Sequence, residues 1–323
     1  MNIADKDWRE QAVKLANTGV MSRREIAEFL GVPRSTCLDY LRAYYKAMAE
    51  LDDSMEQKNE EGVTHLVIPD SQVRPGIPLD YLRWIGEYIV KKQPEVIVHL
   101  GDFCDFEALS QWDEGKLSAE GKRVIEDINV SIEGMRTLLQ PLFDLQAKQK
   151  ENGDKVYKPR MVLTLGNHED RLTRYVNSNS KLEGFLSLSD LKYEEFGWEV
   201  VPFLTPINID GINYCHYFPN VMTGRALTGT AQNMLKVIGE SFTMGHRQTL
   251  DVTTRFLPSS GAQQWGLVCG AAYVHEEHYK GKQGNHHWRG VVVKHRVKNG
   301  SYDPLFVSMQ WLEQEYGDKN GND

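Results

Sequence analysis

Three short apolar runs, at residues 63–69, 95–100 and 161–165, are each bounded by polar turns. Runs of that length and uniformity are expected of strands buried on both faces. Between the second and third, Ile125, Ile128, Ile132, Met135, Leu139 and Leu142 fall at alternating spacings of three and four, which predicts one long helix with a continuous apolar stripe. Strands alternating with helices in this way predict an α/β layered core with parallel strands. The pattern then changes. Ile207-Asn208-Ile209 and Ile212-Asn213-Tyr214 flank Asp210-Gly211, the signature of a type I′ hairpin. Further strands are expected over residues 241–244, 266–270, 290–297 and 305–309.

At 323 residues the chain can form one large domain with a small appendage, and a hydrophobic share of 41% supports a sizeable core. No apolar run approaches the roughly 20 residues needed to span a bilayer. The start, Met1-Asn2-Ile3-Ala4-Asp5-Lys6-Asp7, has no basic segment followed by an apolar one, so no secretory signal is expected. Cys37, Cys104, Cys215 and Cys269 are scattered and read as reduced thiols, which suits a cytoplasmic protein with no membrane partner. The net charge of −8 confines any nucleic-acid contact to local surfaces or to contacts assisted by cations.

Residues 7–48 read as three short helices. Trp8, Val13 and Leu15 give the first its apolar side. Ser22-Arg23-Arg24-Glu25 has capping-box spacing and starts the second, Ile26, Ala27 and Leu30 bury its inner face, and Gly31 ends it. The third runs from about Arg34, with Leu38, Leu41, Tyr44 and Tyr45 on its apolar side. Ala27 and Gly31-Val32, set between two short helices, resemble the helix-turn-helix of DNA-binding proteins. In that geometry Arg34, Ser35, Thr36 and Arg42 face outward as DNA-binding candidates. Eight Lys/Arg against seven Asp/Glu in residues 1–50 make a weak electrostatic footprint, so a protein-docking or structural appendage stays open. Residues 1–50 are thus expected as one domain, residues 51–62 as an acidic linker, residues 63–312 as the main domain and residues 313–323 as a polar tail. Helix-turn-helix domains often act in pairs, so a homodimer is compatible, although no motif demands one.

Five strand ends carry one kind of chemistry: Asp70-Ser71-Gln72, Gly101-Asp102-Phe103-Cys104-Asp105, Gly166-Asn167-His168-Glu169, Tyr214-Cys215-His216 and Gly245-His246-Arg247-Gln248. Each places Asp, Asn, His or Gln at the C-terminal edge of a strand, where side chains from different strands converge. Carboxylates, imidazoles and amides without thiolates suit Mn²⁺ or Mg²⁺, with Fe or Zn as alternatives. The set exceeds what one ion needs. A carboxylate bridging two ions would explain the surplus and points to phosphoryl chemistry.

This ordered set resembles the calcineurin-like metallophosphoesterase family over residues 63–250. The resemblance implies a core of two packed mixed β-sheets flanked by helices and two divalent cations. It implies that Asp70 and Gln72 hold the first cation, with Gln248 completing that site. Asp102 then bridges both, and Asn167, His216 and His246 hold the second. The family most often has histidine where this chain has Gln72 and Gln248, so the first site is expected to be weaker and to favour Mn²⁺ or Mg²⁺ over zinc. His168 is expected to protonate the leaving oxygen, with Asp105 or Glu169 orienting imidazoles and Arg171 and Arg247 gripping a phosphate.

Five of the histidines, His275, His278, His286, His287 and His295, lie near Lys280, Lys282, Arg289, Lys294 and Arg296. The stretch reads as a solvated hairpin or as a basic wall guiding a polyanion. His65 and His99, inside strand runs, read as satisfied core histidines. The combined expectation is a two-metal-dependent phosphodiesterase, a nuclease, that hydrolyses DNA through a metal-bound hydroxide with the small domain contacting DNA. The alternatives are an enzyme for nucleotides or phosphoproteins with a protein-docking appendage, and a DNA-binding or assembly protein with a degenerate metal site.

Overall fold

The computed structural model describes residues 7–111, 115–277 and 281–317, with the backbone alone for residues 7, 49–60 and 118. The chain divides into two compact units, residues 1–61 and 62–323.

In the first unit α1 (Asp7–Thr18), α2 (Arg23–Phe29) and α3 (Arg34–Glu61) close around Ala12, Ile26, Ala27, Cys37 and Leu41. Ser22 caps α2 reciprocally with Glu25, and Gly31 turns the chain at φ 64°. Arg34, Ser35, Thr36 and Arg42 are exposed on α3. One expectation is corrected here: residues 51–61, read as a linker, continue α3. They are polar, but Leu, Met, Glu, Gln and Lys favour helix, and neither Gly nor Pro interrupts them before Gly62 at φ 76°.

The second unit alternates strand and helix in chain order. It opens with β1 (Val63–Ile68), α4 (Asp80–Lys92), β2 (Val96–His99), α5 (Val124–Asn152), β3 (Arg160–Thr164), α6 (Asn167–Ser178) and β4 (Glu199–Val201). It continues with the hairpin β5 (Ile207–Ile209) and β6 (Ile212–Cys215), then α7 (Ala231–Ile238), β7 (Phe242–Met244), β8 (Leu250–Phe256) and β9 (Gln263–Cys269). It ends with α8 (Gly281–Gly284), β10 (Gly290–Lys298), β11 (Ser301–Ser308) and α9 (Met309–Tyr316). One sheet has the order β11-β10-β1-β2-β3-β4 and the other β5-β6-β7-β9-β8, both mixing parallel and antiparallel pairs.

Period-two alternation stacks the layers. Leu66, Ile68, Ile97, Met161, Leu163, Val291 and Val293 point to the helices α4, α5 and α9. Their neighbours Val67, Val98, Val162 and Val292 point to the second sheet. The hairpin forms as expected, with Asp210 and Gly211 at φ 51° and 85°. Strands β4 and β8 lie beyond the expected set: β4 is three residues long, and β8 is an edge strand with its burial alternating. The expected stripe of α5 holds from Ile128 onward, with Ile128, Met135, Leu139 and Leu142 buried and Ile132 packed against them. Ile125 is 58% exposed, while Asp127, Ser131 and Gly134 are buried on the inner face. The polar tail also begins later than residue 313, because α9 runs on to Tyr316, which packs against the core; residues 318–323 lie outside the described part. Among the described residues no helix is long and apolar enough to cross a membrane, and all four cysteines are buried free thiols.

His65 and Lys294 are register partners on β1 and β10, and both face the second sheet. Lys294 is fully buried, donates to the Tyr214 and Thr243 hydroxyls and lies over the Tyr214 and Tyr302 rings. His65 lies 2.8 Å from the Tyr214 hydroxyl and 2.9 Å from Asp210 Oδ2. This polar seam ties the sheets together. It also removes Lys294 from the expected basic wall, in which Arg289 donates to the Val274 carbonyl and Arg296 pairs with Asp303. His278 and Lys280 lie outside the described residues.

Burial pushes the Lys294 ammonium down to about 7 from 10.5. A base depressed in the folded state makes the fold gain stability as pH rises between those values. Lys294→Met, which removes the charge and keeps the volume, should abolish that gain. Denaturant titrations at pH 7 and 9 should show wild type gaining on the variant, and parallel profiles would contradict it.

Candidate metal centre

The loops leaving β1 and β2 are laced side by side. Ser71 and Gln72 N–H donate to Asp102 O at 3.1 and 3.0 Å, Val73 N–H to Phe103 O at 2.7 Å, and Asp105 N–H back to Val73 O at 2.8 Å. Glu169, fully buried on the first turn of α6, fixes the second loop from the other side. Its carboxylate accepts from Asp102 and Gly166 N–H at 2.9 and 2.8 Å and from Phe103 N–H at 2.7 Å. Glu169 therefore shapes backbone and hydrogen-bonds no imidazole among the described residues, which corrects its expected role.

Close approach at these strand ends requires glycine. A Cβ on Gly166 would lie 2.1 Å from Asp102 Oδ1, and one on Gly245 would lie 2.4 Å from Asp70 Oδ1. Gln72, Asp102, His246 and Gln248 have φ of 47°, 49°, 66° and 58°. Left-handed backbone at a residue other than glycine costs roughly 1–2 kcal/mol, and such strain gathers where side chains must be aimed.

The aimed groups converge. His216 Nε2 lies 2.9 Å from Asn167 Oδ1 and 3.3 Å from Asp102 Oδ2, and His246 Nδ1 lies 2.7 Å from Asn167 Oδ1. Gln72 Nε2 donates to Asp102 Oδ2 at 3.3 Å. His246 N–H donates to Asp70 Oδ1 at 2.9 Å, while Asp70 Oδ2 is buried with no hydrogen-bond partner among the described residues. Asp102, His216 and His246 offer ligand atoms all within 4.8 Å of one another.

These residues fit a divalent cation. His216 Nδ1 must donate to the Leu100 carbonyl at 2.7 Å. In the neutral ring Nε2 is then a lone pair facing two oxygens, and the orphaned Asp70 oxygen adds another acceptor. A cation resolves such a cluster. Without one, protons take its place. Burial opposes a charge on His216, but Asp102 overcomes it and lifts the imidazole to about 9. Burial, helped by Asp102, raises the Asp70 carboxyl to about 6. Asp102 moves the other way, because His168 and His216 outweigh its own burial. His246 is depressed to about 4 by burial and by His216.

The other expected residues divide. His168 Nδ1 lies 2.9 Å from Asp105 Oδ1, and His168 N–H donates to Asp102 Oδ1 at 2.9 Å. Burial disfavours the imidazolium, but Asp102 and Asp105 raise the pKa of His168. Arg171 turns inward, donating to Asp105 O at 3.0 Å with its other terminal nitrogen 3.0 Å from His168 Nε2. Arg247 donates to the Gly229 carbonyl. Both are thus engaged by protein groups where phosphate contact was expected. Gln248 accepts from the Tyr273 hydroxyl at 2.8 Å.

Beside Asn167 opens a cavity of about 500 Å³, walled by Arg171, Arg174 and Tyr175 of α6 with Leu109 and Gln111 opposite. Sequence reasoning missed Arg174 and Tyr175. Their spacing of three and four from Arg171 marks the same helix face and was the available signal.

With this geometry the class is a two-sheet α/β domain with a candidate metal site at its strand ends. The Calcineurin-like phosphoesterase model matches residues 64–227, and the chain belongs to that family. It is also similar to the Gene 54 proteins of Mycobacterium phages L5 and D29. These are 26% and 24% identical over 215 residues, covering 64% of this chain and 77% of each relative. The crystal structure of TT1561 of Thermus thermophilus matches at 7% identity with a TM-score of 0.33, covering 77% of this chain and 99% of that chain.

Cation binding should be proton-linked. His216, raised in the fold to about 9 from 6.5, contributes stability that is full below pH 6.5 and lost as pH rises through about 9. A cation bound to the neutral ring replaces that loss. The rise in Tm on adding Mn²⁺ to EDTA-treated protein should therefore be larger at pH 8 than at pH 6.5. An equal rise at both would exclude His216 as a ligand.

Proposed function

We propose that this chain is a two-cation phosphodiesterase that hydrolyses DNA, with the N-terminal helices contacting the duplex. The observation carrying this reading is the α6 wall. It runs from Asn167, an expected cation ligand, to Arg171, Arg174 and the 40% exposed Tyr175 along one cavity. Guanidinium groups beside an aromatic ring suit a chain of phosphates and bases. Exposure of Arg34, Ser35, Thr36 and Arg42 on α3 supports assigning them to DNA contact.

In this reading Asp102, Asn167, His216 and His246 hold one cation, and Asp70, Gln72 and Gln248 share Asp102 to hold the other. When bound, the cations supply Lewis acidity and neutralise charge on the non-bridging phosphate oxygens. The donor set favours Mn²⁺ or Mg²⁺. A water oxygen bonds to phosphorus in line as the ester P–O bond breaks. His168, fixed through Nδ1 by Asp105, gives a proton from Nε2 to the leaving oxygen, and the proton shed by water passes to solvent. Substrate phosphate must draw Arg171 off Nε2 for that transfer.

Purified protein with Mn²⁺ should cut plasmid or oligonucleotide DNA, and EDTA should stop it. Cleavage of bis-p-nitrophenyl phosphate without cleavage of any nucleic acid would leave an enzyme for small phosphodiesters in its place. Tyr175→Ala should raise KM for DNA about tenfold, the order expected when a 1–3 kcal/mol stacking contact is lost. His168→Ala should lose turnover on DNA, whose leaving oxygen is basic, while retaining its metal content.

A further inference from the structure

A buried cation close to the proton donor lies outside the strand-end motifs. Arg74 follows the loop that leaves β1, and the lacing of Val73 to Phe103 and Asp105 sets it beside Asp105. Its side chain is 9% exposed, and one terminal nitrogen meets three carboxylates: Asp105 Oδ2 at 3.3 Å, Glu107 Oε1 at 3.1 Å and Glu277 Oε2 at 2.9 Å. The other terminal nitrogen donates to the Glu276 carbonyl at 3.3 Å.

Glu277 is delivered from a distant part of the chain and is held firmly. It is 2% exposed, its carboxylate meets His275 Nε2 at 3.1 Å, and its N–H donates to Asn285 Oδ1 at 2.8 Å. Asn285 in turn donates to the Glu277 and Gly281 carbonyls, both at 2.9 Å. Lys122 balances Glu107 at 3.1 Å. The two oxygens of the Asp105 carboxylate are thereby divided: Oδ1 shares His168 Nδ1 with the Asp105 carbonyl, at 2.9 and 2.8 Å, and Oδ2 faces Arg74. A carboxylate held at one oxygen only can rotate about its Cβ–Cγ bond. Held at both, it fixes the imidazole plane.

We propose that Arg74, anchored by Glu277, is a positioning residue that sets the Asp105 carboxylate and through it aims His168 Nε2 at the leaving oxygen. The proposal rests on the reading of His168 as proton donor. As the P–O bond breaks, the departing oxygen takes the electron pair and receives the Nε2 proton. That transfer matters for a basic leaving group and little for p-nitrophenolate, which departs unprotonated.

The test compares kcat on methyl phenyl phosphate with kcat on methyl p-nitrophenyl phosphate, using Mn²⁺-loaded full-length protein. Arg74→Met should lower the phenyl to p-nitrophenyl rate ratio at least tenfold, with metal content and KM little changed, and Arg74→Lys should recover part of it. Removing one partner of a buried ion network is strongly destabilising, so the isosteric Glu277→Gln serves as a second variant. It should lower the ratio in the same direction. Equal losses on both esters would make the network structural only and overturn the proposal. His168→Ala is the control: if its ratio also stays at the wild-type value, the proton-donor reading fails. A lowered ratio in His168→Ala with an unchanged one in the Arg74 and Glu277 variants removes Arg74 alone.

Discussion

The carboxylate of Glu169 organises the site. Buried backbone N–H groups must find acceptors, and each one left unpaired costs about 1–3 kcal/mol. The turn after β2 exposes the N–H groups of Asp102, Phe103 and Cys104 to a space with no strand partner, and Glu169 accepts all three together with Gly166 N–H. One charged side chain therefore welds the end of β2 to the start of α6. Burial raises its carboxyl pKa, but the donated N–H groups favour the charged form. The weld permits a left-handed Asp102 and brings Gly166 so near that only hydrogen fits between them.

From that weld follows a site made mostly of acceptors. Asp102 Oδ1 receives the first-turn N–H of His168, where the helix terminus favours negative charge. Its Oδ2 is left facing His216, with Gln72 on another side. Asn167 offers one oxygen to two imidazoles. Each group is held by backbone or by a buried partner before any ligand arrives, and such preorganisation lets an electrostatic site act without rearranging.

Much of this is legible in the sequence, because strand ends show as polar residues closing apolar runs, and the chemistry of Asp, Asn and His is local to them. The helix-facing and sheet-facing layers follow from period two. What escapes depends on contacts distant in sequence. Arg74 and Glu277 are 203 residues apart, and neither carries a local pattern that marks it as buried. Lys294 resembles surface charge because its neighbours are basic, yet its parity with Val292 turns it inward. Residues 51–61 resemble a linker when polarity is weighed above helix propensity. Glu169 suggests a catalytic partner because a carboxylate beside a histidine suggests a dyad. On a helix, adjacent residues point about 100° apart, so Glu169 faces the turn while His168 meets Asp105.

The two proposed cation positions are unequal for a related reason. The position with Asn167, His216 and His246 has two imidazoles, both aimed by left-handed or hydrogen-bonded geometry. The position with Asp70, Gln72 and Gln248 has amides, whose oxygens carry no net charge. Gln72 presents its Nε2 to Asp102, and Gln248 accepts from Tyr273. A cation there must draw amide oxygens toward itself and compete with a phenol, and its main charge partners are Asp70 and the shared Asp102. Asp70 Oδ2, buried without a partner among the described residues, is an acceptor already free to meet it. In the proposed reading that balance favours a hard cation satisfied by oxygen ligands over one that requires imidazole.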